Sequence, residues 1–187
     1  MVDNRKLATA AVFGVLIAAV KAPFPFPISD LLNIVEVPML GLSFLLLGRG
    51  GATYSGLVNG MISSVAKIGF FPYNLVFGVF YGILVDAFGV GLGARGVEST
   101  STKRLMAALA AASTVLGVFI TFVTLTFNVN PNVSFPGSSV SELLEVVYLP
   151  TVAWGIFSGV VGGFVAARVW DRGLAAKFGM PAAMKRH

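Results

Sequence analysis

The sequence predicts an all-α integral membrane protein: a bundle of six transmembrane helices with both termini in the cytoplasm. Three observations carry this expectation. Hydrophobic residues make up 56% of the 187 and charged residues only 11%, whereas a soluble domain has about 25% charged residues. The apolar residues gather into six runs, 7–22, 31–47, 52–70, 73–93, 105–127 and 143–169, close to the roughly 17–25 residues that cross a bilayer. The basic residues are also sorted by side. With an even number of spans, the side holding both termini carries 11 of the 13, from Arg5 and Lys6 to Lys185 and Arg186; the other side has Lys21 and Lys67. The positive-inside rule puts that basic side in the cytoplasm of a multi-pass cell-membrane protein. The net charge of +5 is thereby topological, and nucleic acid is not an expected partner. The loops are short, so residues 1–187 are read as one transmembrane domain with lipid around it.

The first run is short and follows Arg5 and Lys6, which also fits a signal peptide. No small-x-small cleavage site precedes Lys21, so a first span with Lys21 snorkelling to the interface is preferred. Its small residues Ala10, Gly14 and Ala18 share one face, with Ala11 beside it. Such faces let helices approach closely in lipid, either within the chain or against another membrane protein. Residues 22–30 alternate proline with phenylalanine. This forbids a helix and favours a stiff extended path, an aromatic lid presenting Phe24 and Phe26. Ser29 or Asp30 can cap the next helix.

The second run holds Asn33, Glu36 and Pro38 in its outer third, and proline there predicts a kink. Gly48, Arg49, Gly50 and Gly51 make a tight inner turn. The third run has Gly56 and Gly60 at GxxxG spacing, together with Asn59, Ser63, Ser64 and Lys67. After Phe71 and Pro72, the fourth starts with Tyr73 and Asn74, repeats the spacing at Gly78 and Gly82, and carries Asp86 near its inner end. These glycines predict close helix packing. The fifth run begins alanine-rich and ends in alternating threonines. The longest loop follows, rich in asparagine and proline and including Asn128. The sixth run carries Glu145, Tyr148 and Trp154 in its outer half, above a smooth ridge of Gly155, Gly159 and Gly163.

Depth then sorts the polar groups. At 1.5 Å per residue, Glu36 and Lys67 lie within about 10 Å of the outer surface. Tyr73, Asn74, Asn128, Glu145 and Tyr148 fall in the same layer, while the inner half is nearly bare apart from Asp86. A charge at membrane depth costs at least about 2.5 kcal/mol on insertion scales, so it has a partner or a task. The asymmetry predicts an outward-facing pocket, whereas a pore wants polar residues along its whole length. Glu36 and Lys67 either pair with each other or contact a ligand.

Chemistry on the chain is excluded by what it lacks. There is no cysteine, and the one histidine is His187. Disulfides, thiolate catalysis, iron–sulfur and haem ligation and histidine metal sites fall away together. No phosphate-binding lysine motif is present either. An intramembrane enzyme is therefore not expected, nor a cofactor or bound metal. A self-sufficient small-solute carrier or channel, with Glu36, Lys67 and Asp86 as relay residues, remains the alternative to a binding subunit.

The passages Glu36-Val-Pro-Met-Leu-Gly41, Leu45-Leu-Leu-Gly48-Arg-Gly-Gly51, Gly56-Leu-Val-Asn-Gly60 and Gly82-Ile-Leu-Val-Asp86 resemble an S component of an energy-coupling factor transporter. The resemblance implies a subunit that captures a vitamin or related micronutrient from outside. It implies as partners a transmembrane T component and two cytoplasmic ATPases. It assigns the T-component docking face to Ala10, Ala11, Gly14 and Ala18. The ligand site falls to Tyr73, Asn74, Asn128, Glu145, Tyr148 and Trp154, with Glu36 and Lys67 nearby and Phe24 and Phe26 above. The metal-transporting members of that family use an amino-terminal histidine, and this chain has Val2 instead.

Overall fold

A computed structural model describes residues 4–24, 28–68, 71–94, 101–127, 142 and 144–178. Among these residues the architecture is all-helical, with no strand. Six long helices form it: α1 (Asn4–Lys21), α3 (Asn33–Leu47), α4 (Gly51–Ala66), α5 (Tyr73–Gly91), α6 (Thr102–Phe127) and α7 (Leu149–Val169). A single turn, α2 (Ile28–Leu31), precedes α3. The π-helical turn Leu144–Tyr148 runs into α7, and a second, Trp170–Leu174, joins α7 to a last turn, α8 (Ala175–Lys177). By length and composition, three helices can cross a membrane: α5, α6 and the continuous rod Leu144–Lys177. Helix α3 is apolar but shorter.

Several boundaries differ from the expected runs. Helix α4 stops at Ala66 rather than 70, because Lys67 leaves helical geometry at φ −123°, ψ 65°. The last rod runs past Val169. Helix α3 continues through Pro38, which lies in its first turns. Its cap position is Leu32, which makes no side-chain cap bond, rather than Ser29 or Asp30.

Helix α3 is the axis of the bundle. It packs against α1, α4, α5, α6 and α7, and from Glu36 to Leu46 every residue but Met39 is buried. A helix apolar all round has no face suited to water and so takes the centre. Around it α4 lies against α5, and α6 against α7, over glycine contacts repeated every helical turn. A Cβ on Gly78 would fall 2.7 Å from the Gly56 carbonyl oxygen, and one on Gly155 would fall 2.7 Å from the Thr114 Cα. The small residues thus set interhelical distance. The outer surface carries large exposed hydrophobics, among them Val65, Ile68, Phe71, Phe122 and Phe127. A soluble monomer rarely leaves so much contiguous apolar surface in water.

The turn between α3 and α4 needs glycine, since Gly48 and Gly50 sit at φ 76° and 86°. Gly50 is also the cap residue of α4 and has no side chain with which to cap it. Asp86 on α5 does this from across the interface. Its carboxylate accepts from Ala52 N at 3.2 Å, Thr53 N at 2.9 Å and Thr53 Oγ1 at 2.6 Å. An anion at a helix N-terminus satisfies orphan amides and opposes the helix dipole. Asp86→Ala is expected to destabilise the chain by about 2 kcal/mol, read from unfolding in detergent micelles. An unchanged midpoint would contradict this capping role.

Candidate functional site

The densest polar cluster lies where the C-terminal end of α1 meets α3 and α4. Glu36 is buried on the axial helix. Lys21, the last residue of α1, forms an ion pair with Glu36 Oε2. The same ammonium donates to Asn33 Oδ1 at 2.7 Å. From the other side Asn59 Nδ2 donates to Glu36 Oε1 at 3.1 Å, and Ser63 Oγ donates to Asn59 Oδ1 at 3.1 Å. Asn74 at the start of α5 reaches the carbonyl of Ser63 at 3.4 Å. A carboxylate this far from water is tolerable only when paired and hydrogen-bonded, and Glu36 has both.

The sequence allows Glu36 and Lys67 to pair or to contact a ligand. Neither pairs with the other: Lys21 takes Glu36, and Lys67 Nζ donates to the carbonyl of Phe24 at 2.7 Å. Both α1 and α4 pack against α3, but Lys67 has already left helical geometry at the end of α4. Lys21 is therefore a partner in the cluster rather than only an interface anchor.

The remaining expected residues divide between the two sides of the bundle. Tyr73 stacks on Phe77 at 6.1 Å, Phe77 on Phe119 at 6.2 Å and Phe80 on Phe119 at 4.7 Å. These rings make an aromatic wall between α5 and α6. On the last rod Glu145 is exposed, and Tyr148 and Trp154 are half-buried. Trp154 packs on Phe157 at 5.5 Å. Phe24 is exposed. Phe26 and Asn128 lie outside the described residues.

The small-residue face of α1 is occupied within the chain. Ala10, Gly14 and Ala18 are buried and Ala11 is half-buried. Ser55 Oγ donates to the Ala10 carbonyl at 2.6 Å, and a Cβ on Gly14 would lie 2.6 Å from the Ser55 carbonyl oxygen. Of the two uses open to this face, packing within the chain is the one found, against α4. Where α1 remains exposed it presents Leu7, Val12, Val15 and Leu16.

Away from the Glu36 cluster the bundle is also less bare than its sequence suggests. Ser43 Oγ donates to the Gly51 carbonyl at 2.9 Å and lies 2.5 Å from Ser55 Oγ. Tyr81 and Ser113 share a hydrogen bond of 2.6 Å between α5 and α6. Serines one turn or more apart look incidental in a run, and only helix pairing brings them together. Compared with family models, curated proteins and solved structures, the chain has no match.

Proposed function

We propose that this chain is the substrate-binding membrane subunit of an energy-coupling factor transporter. It spans the membrane six times with both termini in the cytoplasm and captures a vitamin or related small micronutrient from outside. A T component and two ATPases then drive uptake. One observation supports this above the others: buried charges and amides from α1, α3 and α4 meet at one end of the bundle. It is the end of α1 opposite Arg5 and Lys6, and the positive-inside rule makes that the outer end in this reading. The aromatic wall of Tyr73, Phe77 and Phe119 suits a flat, partly polar solute, and few polar groups are needed to orient it.

Native mass spectrometry of the detergent-purified chain tests the proposal by looking for a co-purified small molecule. Co-expression with a T component tests the partner. With that solute in hand, Glu145→Ala and Trp154→Ala are each expected to weaken calorimetric binding about tenfold. Unchanged affinity in both variants would remove the last rod from the site.

A second reading has its own support. Besides the Glu36 cluster, the bundle buries polar groups at Ser43–Ser55 between α3 and α4, at Tyr81–Ser113 between α5 and α6, and at Asp86. A self-sufficient carrier or channel would use such groups. Uptake by vesicles holding this chain alone favours it; uptake only with added ATPases favours the subunit.

A further inference from the structure

We infer that Lys21 and Asn33 form a subsite that selects solutes carrying a carboxylate. The inference rests on the outward-facing solute capture proposed above and narrows its substrate class. It comes from counting hydrogen-bonding capacity. Glu36 is committed: Oε1 accepts from Asn59 and Oε2 pairs with Lys21. Its side chain is only 4% exposed, so an incoming cation reaches it only by evicting Lys21. The water-facing member of the pair is the lysine, with its side chain 19% exposed.

An ammonium has three N–H donors, and Lys21 uses two, on Asn33 and Glu36. The Lys21 bond to Asn33 Oδ1 also fixes which way that amide points, leaving its NH₂ group as donor. Among the described residues no protein partner takes the third Lys21 N–H or the two of Asn33. On its accessible side the cluster therefore offers mainly donors: Asn33 Oδ1 keeps one lone pair, and those left on Glu36 are buried. Those donors are held in place by a buried anion, which prevents the ammonium from swinging away. An ionised carboxylate is acceptor-only, and a charge-assisted bond to an ammonium is about twice as strong as a neutral one. A neutral amide carbonyl accepts from the same ammonium but brings no second charge, so it gains less than a carboxylate. An amine brings a like charge to Lys21.

The test uses the full chain in detergent micelles and matched probes: benzoate against benzamide, nicotinate against nicotinamide, and benzylamine as the cation. Calorimetry is expected to show each acid binding about tenfold tighter than its amide, with benzylamine weakest. Lys21→Gln alone would strand the Glu36 carboxylate and can fail to fold. The double variant Lys21→Gln/Glu36→Gln keeps a hydrogen-bonding pair without either charge, and its folding is checked by circular dichroism. It is expected to lose the acid-over-amide difference. Lys21→Arg is expected to retain it. Equal binding of acid and amide, no binding of the acids, or a preference that survives in the double variant would overturn the subsite. A co-purified solute that is neutral or cationic would also overturn it while leaving solute capture intact. Absence of any co-purified solute, together with no association with a T component, would instead remove the capture reading itself.

Discussion

Lys21→Ala is expected to cost about 3–5 kcal/mol of stability, the range for removing one partner of a buried ion pair. The loss is asymmetric. Without Lys21, the Glu36 carboxylate stays on the axial helix with a single amide donor, Asn59. Without Glu36, the half-exposed Lys21 at the end of α1 can turn its ammonium outward. Glu36→Ala is therefore expected to cost clearly less than Lys21→Ala. Neutralising the stranded acid should also repair the damage, so Lys21→Ala/Glu36→Gln is expected to recover most of the loss. Unfolding of these three variants and of the unmodified chain in detergent micelles measures the losses. Equal losses in the two single variants, or no recovery in the double, would mean that Glu36 is not desolvated as its position indicates.

Gly14→Leu is expected to destabilise the isolated chain by about 3 kcal/mol, at the upper end of overpacking costs. Its new side chain would meet the Ser55 carbonyl and Val58 Cβ, at 2.6 and 2.8 Å from Cβ. One of these is backbone and cannot turn away. Separating α1 from α4 also strains the Ser55 bond to Ala10. The control lies on the opposite face: Val12→Leu, on an exposed position, should leave stability unchanged. If Gly14→Leu leaves the midpoint untouched yet blocks association with a T component, the small-residue face is available to a partner after all.

The helical architecture was legible because hydrophobic runs and glycine spacing are one-dimensional signals. Gly56 and Gly60 on α4 do meet Gly78 and Leu75 on α5, since small residues one turn apart permit close approach wherever they occur. The position of Glu36 near one end of its helix was legible for the same reason, from rise per residue. Its partner was not. Depth along an axis does not say which helix stands next to which. Lys67 was the expected partner and Lys21 an interface anchor, and only the packing of the C-terminal end of α1 against Glu36 exchanges those roles. Asp86 is similar: its position near the inner end could be read, but its role as the cap of another helix depends on how α4 and α5 are aligned. The tight turn did carry one clue, since a helix that starts after three glycines in four residues has no side chain to cap itself.

The axial helix α3 has 15 residues, which at 1.5 Å each gives a length of about 22 Å. The hydrocarbon slab is about 30 Å thick. A central post shorter than the sheet it stands in draws the lipid surface downward around it or lets water dip towards its top. The carboxylate one turn below that top would then lie at the foot of a shallow dimple. A charge so near the centre of the protein would need only a short column of solvent, not a channel, to be reached from that end.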